Sequence, residues 1–257
     1  MAPCCFRNYS SSRGGYDLGV KIALLSLVLA PTLLAQISPR PADAIVPIVG
    51  STRGQSNANF KTELQLTNPS DVVIAGWLYL RPQGAVQHYE LPPHTTISFA
   101  DIVAELGATG LGSLDILVER GRIPTLVARA YDDQPDGTTG ATIPLVRTES
   151  ILARNDFGSL IAPRDLTRYR FNIGVRAMES GASLEIVVRS ADGTERNRRV
   201  ADYTEHQFEQ VPGNTFAGIA LTADDALEVI VRAGSAIVYG STVDNATNDS
   251  SVQILEK

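Results

Sequence analysis

The sequence predicts an all-β protein: two tandem immunoglobulin-like β-sandwich domains that follow an N-terminal signal peptide. Three observations predict it. Short runs of alternating apolar and polar residues, bounded by Gly, Pro, Asn and Asp, fill the chain from about residue 45 onward, with little helical periodicity between them. The apolar pattern repeats at an offset of 109 residues. Two stretches, "VARAYDDQPDGTTG" at 127–140 and "VYGSTVDNATNDSS" at 238–251, leave an apolar run through the pairs Asp132-Asp133 and Asp244-Asn245 and end in short polar residues.

The leader comes first. Lys21 precedes the apolar run "IALLSLVLAPTLLA" at 22–35, and Ala42-Asp43-Ala44 has the small-x-small form that signal peptidase accepts. Pro31 and the short length argue against a membrane span. If Val20 is the true initiator, the leader acquires an ordinary charged start; a retained anchor helix is the alternative reading. Residues 1–44 are thus expected to be removed, with no membrane span after cleavage. Both cysteines, Cys4 and Cys5, leave with them, so no disulfide supports the mature fold. The net charge of −6 becomes −8, because four basic and two acidic residues depart. Such a chain repels nucleic acid, and its expected place is secreted or extracytoplasmic.

The remaining elements follow the repeat. Phe60, Leu64 and Leu66 fall on Tyr169, Ile173 and Val175, and Trp77 and Tyr79 on Ile186 and Val188. Leu91, Phe99 and Ile102 fall on Val200, Phe208 and Val211; after a four-residue insertion, Leu114, Ile116 and Val118 fall on Leu227, Val229 and Val231. "FKTELQL" and "RFNIGVR" alternate with period two, one face buried and one wet. Turns are expected at 68–71 ("NPSD") and 178–181 ("MESG"), and hairpins at "PQG", "ADG", "RGRIP" and "AGS". "SFADIVAELG" at 98–107 is the one helical candidate, capped by Asp101 and ended by Gly107. The expected division is a first sandwich at 45–148, a polar link at 149–158 and a second sandwich at 159–257.

"VPIVGSTRG" followed by "NFKTELQLTNPS", then "ADIVAELGATGLGSLDI", "LVARAYDD" with "GTTG", and finally "YGSTVDNATND" together resemble a tandem module of uncharacterised secreted bacterial proteins. The resemblance covers nearly all of 45–257. The second copy departs from it, with Ala177 in the place of Asn68 and no Pro after it. The layout is also similar to the immunoglobulin-like domains of bacterial surface proteins. What the resemblance implies is export and a binding or scaffolding role.

The chemistry-bearing residues are few. His88, His94 and His206 lack metal-ligand spacing, no G-x-S-x-G is present, and "GATGLG" follows a helical candidate where a phosphate loop would open one. No catalytic residue is expected. Asp132, Asp133 and Asp136 in one ending, and Asp244, Asn245, Asn248 and Asp249 in the other, are oxygen donors at the spacing a weak calcium site would use. The alternative, preferred here, is plain turn chemistry. Arg196, Arg198 and Arg199 form a basic run that fits an anionic or acidic partner, or the charged edge of a hairpin. Trp77 and Tyr79 are expected in the core rather than on a sugar-stacking surface. "NAT" at 245–247 and "NDS" at 248–250 are glycosylation sequons.

The function expected is non-catalytic: adhesion, scaffolding, or recognition of a carbohydrate or protein outside the cytoplasm. Two alternatives stand beside it. One is an enzyme accessory or weak hydrolase using carboxylates in an interdomain groove. The other is a structural subunit assembling by strand exchange, with "IVPIVGS" as donor.

Overall fold

A computed structural model describes residues 40–257 except Ser56 and Asp136. Residues 1–39 of the expected leader, with both candidate initiators, and the calcium candidate Asp136 therefore lie outside the described residues. No helix among those described is long and apolar enough to cross a membrane.

The chain is built of antiparallel strands. The first half carries β1 (Ala44–Arg53), β2 (Asn59–Thr67), β3 (Ile74–Arg81), β4 (Val86–Leu91), β5 (Thr96–Phe99), α1 (Ile102–Glu105), β6 (Gly110–Arg120), β7 (Thr125–Gln134), β8 (Gly137–Ile143) and β9 (Val146–Arg147). One layer runs β4-β3-β6-β1 and the other β5-β2-β7-β8, with β1 pairing into both. Leu64, Leu66 and Ala128 from one layer meet Leu78, Leu80, Leu114 and Ile116 from the other in one core, all at 0% exposure.

The second half carries β10 (Leu152–Ala153), β11 (Phe157–Ile161), β12 (Tyr169–Arg189), β13 (Glu195–Tyr203), β14 (Phe208–Pro212), β15 (Ala226–Asp244) and β16 (Ser250–Ile254). Its pairing repeats that of the first half: β13-β12-β15-β11 in one layer, β14-β12-β15-β16 in the other. Here single long strands pass from layer to layer. Phe60 faces Asp132 as Tyr169 faces Asp244, so the two polar endings occupy the same place in the two halves.

The register differs from the ungapped offset in the middle of each half. Leu78 and Leu80 pair with Ile116 and Leu114, as Ile186 and Val188 pair with Val229 and Leu227. Leu78 and Leu80 therefore take the core places, one residue away from the expected Trp77 and Tyr79. A one-residue slip turns every side chain to the other face. Trp77 and Tyr79 are only half-buried and lie on the outer face, where Trp77 Nε1 donates to Glu119 Oε1 at 2.6 Å and its ring meets His88 edge-on. Likewise Tyr203, not Val200, takes the place of Leu91; Val200 is 62% exposed.

Several expected turns are absent because the strands continue. "MESG" lies inside β12, which passes through an irregularity between Ala177 and Ala182 with Gly181 at φ +68°. "AGS" lies inside β15, where Gly234 has φ +67°. "RGRIP" joins β6 to β7 in different layers and is a crossover, not a hairpin. The expected hairpins at "PQG" and "ADG" do form: β3 pairs β4 and β12 pairs β13. The candidate helix is reduced to the single turn α1. Asp101 accepts from Ala104 N–H at its start, and Leu106 and Gly107 close it at once. Its buried Ile102 and Val103 plug the end of the first core.

Asn68 holds the first of the two breaks that the second half lacks. Its buried side chain donates to the carbonyls of Val72, Leu91 and Pro92 at 2.7, 2.9 and 3.1 Å, and accepts from Ser70 N–H and Oγ–H. Ala177 has no such group, and β12 runs on.

The entry to β1 is already part of the sheet. Ala42 is buried, Asp43 N–H donates to Ile116 O at 2.9 Å, and Asp43 Oδ2 accepts from Val118 N–H at 2.7 Å. Within 149–158, Ile151 and Leu152 are buried and β10 pairs with β15.

Candidate functional site

The two halves touch through the outer face of β1 and β6 and the outer face of β12, β14 and β15. On β12, Phe171, Ile173 and Val175 point into the second core; Asn172, Gly174 and Arg176 point toward the first half. The face of "RFNIGVR" expected to be wet is thus covered. Gly174 is required there, since a Cβ would stand 1.9 Å from Cζ of the fully buried Tyr239. Ile45, Met178 and Ile237 form a small apolar contact across the junction.

An ion pair lies at its centre. Arg176 is fully buried; its guanidinium donates to Asp115 Oδ2 at 2.8 Å and to Ser113 Oγ at 2.8 Å, and also bonds the carbonyl of Ala177. Arg81 Nε reaches the same Asp115 oxygen at 3.2 Å. His206 Nδ1 lies 3.2 Å from Arg176 Nη2, so it accepts and the ring is neutral. Burial lowers the His206 pKa, and the cations Arg81 and Arg176 lower it further. Among the described residues Asp115 Oδ1 and His206 Nε2 have no hydrogen-bond partner.

Beside this contact the halves part and leave a groove. One cavity of about 290 Å³ is lined from both sides, by Thr52, Arg53, Phe60, Lys61 and Thr62 of the first half and by Arg170, Asn172, Gln210, Ser241 and Ser250 of the second. An adjoining cavity of about 550 Å³ shares Gln55, Arg170 and Asn172 with it and adds Tyr169, Asn214 and Leu221. Among the described residues no carboxylate lines either cavity. Lys61 is paired with Asp133 at 2.7 Å, which raises the pKa of its ammonium group. Arg170 is held by amide oxygens instead, Asn245 Oδ1 at 2.9 Å and Asn248 Oδ1 at 3.0 Å.

The calcium candidates are drawn together, but as an interlock. Asp132 Oδ1 accepts from Asn59 N–H at 2.6 Å and Gln134 Nε2 at 2.7 Å, while Oδ2 accepts from Asn248 Nδ2 at 3.0 Å. The first polar ending thus clasps the second. Asp244 accepts from Ala246 and Thr247 N–H through Oδ1 and from Arg168 through Oδ2; the Ala246 N–H and then Arg168 hold its carboxyl below the usual range. Asp133 is taken by Lys61, and Asp249 Oδ1 accepts from Ser250 N–H. Three cations, Lys61, Arg168 and Arg170, and several N–H groups bond these oxygens. Among the described residues no three His, Cys, Asp or Glu are grouped for a metal.

The basic run is dispersed. Arg196 is bound to Asp225 at 2.6 Å and Arg198 to Glu185 and to Glu195, while Arg199, next in the strand, turns to the other face and bonds the carbonyl of Arg198. The candidate strand donor "IVPIVGS" is paired in β1 with β6 and β9, with Ile45 and Val46 fully buried.

The residues that build the groove carry no motif, and Arg53, Phe60 and Arg170 are missed by sequence reasoning. Gly174 marked a close approach, but to Tyr239 on the neighbouring strand of the same half and not to the groove. No family model matches the chain, and no curated protein matches it.

Proposed function

We propose that this is an exported, non-catalytic binding protein, made of two immunoglobulin-like sandwich domains, whose recognition site is the groove between its halves. The observation that carries the reading is the groove's lining. It draws on both halves, joins two cavities across Arg170 and, among the described residues, presents amides, hydroxyls and cations without a carboxylate. Polar groups converging in a cleft of this size suit a small ligand or a short oligomer. The alternative of a carboxylate-based hydrolase finds no support there, since such chemistry needs two carboxyl groups about 5–10 Å apart across the substrate. The secretory leader and the resemblance to secreted modules supply the extracytoplasmic part of the proposal.

Glycan- and protein-array binding by the leaderless chain tests it. Arg53→Ser and Asn172→Ala are expected to weaken whatever binds, with the thermal transition unchanged. Binding that ignores both substitutions would remove the groove from the proposal.

A further inference from the structure

The groove's charge and its aromatic residues narrow the ligand class. The chain is acidic overall, at −6, yet Arg53, Lys61 and Arg170 are the charged residues that line the smaller cavity. Arg170 lines both cavities. A guanidinium has five N–H donors in a planar fork. Here two of its nitrogens are oriented by the neutral amides of Asn245 and Asn248, so it is fixed in place and no carboxylate bonds it directly. The remaining donors suit a carboxylate or sulfate, which the fork can bind through two parallel bonds.

The aromatic residues come from the repeat. Phe60 and Tyr169 hold equivalent positions, opposite Asp132 and Asp244, and each lines one of the two adjoining cavities. Both rings are half-buried. Gly54 packs on Phe60, and the guanidinium of Arg168 lies 5.1 Å from the Tyr169 centroid, which steadies each ring. The face of an aromatic ring suits the C–H face of a sugar, and Asn172, Gln210, Ser241 and Ser250 supply hydrogen-bonding groups for hydroxyls. A peptide strand would instead need a free backbone ladder along the groove.

We infer that the groove binds an acidic oligosaccharide, with rings against Phe60 and Tyr169 and a carboxylate or sulfate on Arg170. This rests on the reading of the groove as the recognition site. Titration calorimetry on the leaderless chain would use four probes: oligogalacturonate, a heparin-derived hexasaccharide, cellohexaose and a poly-L-glutamate peptide. The expected result is binding of one or both acidic sugars, at least ten-fold tighter than cellohexaose or the peptide. The first two arms separate carboxylate from sulfate. Arg170→Gln and Phe60→Ala should each weaken binding ten-fold or more. Because Arg170 also holds the second ending, Arg170→Lys and Arg53→Ser serve as variants that keep the fold, checked by thermal unfolding. They should weaken the acidic sugar by more than they weaken cellohexaose. Equal binding of cellohexaose that still responds to Phe60→Ala would overturn the anion assignment and leave the groove standing. Equal binding of the peptide, insensitive to Phe60→Ala, would overturn the sugar. Binding of no probe, or binding untouched by every variant, would overturn the inference; array ligands sensitive to Asn172→Ala would then decide separately for the groove.

Discussion

Arg176 of the second half and Asp115 of the first form an ion pair sealed from solvent, 0% and 2% exposed, at the junction of the two halves. It joins segments 61 residues apart. A buried pair is weak evidence for stability by itself, because desolvating both charges offsets much of their attraction. It does make the junction specific: either charge left alone is severely penalised.

The first prediction follows. Asp115→Ala leaves a buried guanidinium uncompensated and should cost about 3–5 kcal/mol. Replacing both partners, Arg176→Met with Asp115→Leu, should recover most of that loss. Urea unfolding of Asp115→Leu, Arg176→Met and the double variant, read as a double-mutant cycle, checks it. Equal, additive losses would mean that the pair does not interact.

Acid should loosen the same junction. The His206 pKa is lowered from its ordinary 6.5 by burial and by Arg81 and Arg176, against the opposing carboxylates Asp115 and Glu179. A base with a depressed folded pKa binds fewer protons folded than unfolded. Its contribution is therefore complete above pH 6.5 and is lost as pH falls below that value. His206→Gln should flatten the fall in unfolding free energy between pH 6.5 and the lowered folded pKa; a slope unchanged by the substitution would refute the assignment.

Gly174→Ala places a Cβ 1.9 Å from the ring of Tyr239, itself pinned through its hydroxyl to Gln210 Oε1 at 2.8 Å. Overpacking of this kind costs about 1–3 kcal/mol or more. Adding Tyr239→Leu should relieve part of the loss. If Gly174→Ala alone leaves the melting temperature unchanged, Tyr239 does not cross Gly174 in the β12–β15 ladder as described.

Under the proposed export, removal of the leader is expected to stop upstream of Asp43 and not at the boundary after Ala44 read from the sequence. Asp43 accepts Val118 N–H and donates its own N–H to Ile116 O, so cleavage after Ala44 would strip two bonds from the edge of the sheet. Intact-mass measurement of the exported chain should find Asp43 retained. A chain beginning at Ile45 would contradict this.

How far the sequence was legible depended on what each residue had to satisfy locally. Strand identity was readable because period-two patterns need only one buried face, as in Thr62, Leu64 and Leu66. Hairpins with Gly at positive φ, such as Gly84 and Gly193, were readable for the same reason. Register was not: Trp77-Leu78-Tyr79-Leu80 is apolar on both faces, and only pairing with Ile116 and Leu114 chooses between them. Nor was the continuity of β12, since Gly181 and Gly234 resemble turn glycines until they are found facing each other across the ladder, 2.0 Å from a virtual Cβ on Gly234 to Gly181 O. The groove was least legible. Arg170 and Phe60 become neighbours only once the halves dock, and the repeat that sets Phe60 over Tyr169 says nothing about the cavity that each would line.

The unbroken course of β12 and β15 has a dynamic consequence. In the second half one backbone serves both layers, so neither can breathe without the other. In the first half the same path is cut at 68–73 and again at 121–124, and β1 is left as the strand that pairs into both layers. Amide exchange should therefore be slowest along the β12–β15 ladder, with the first half releasing its protons earlier as a separate cooperative unit.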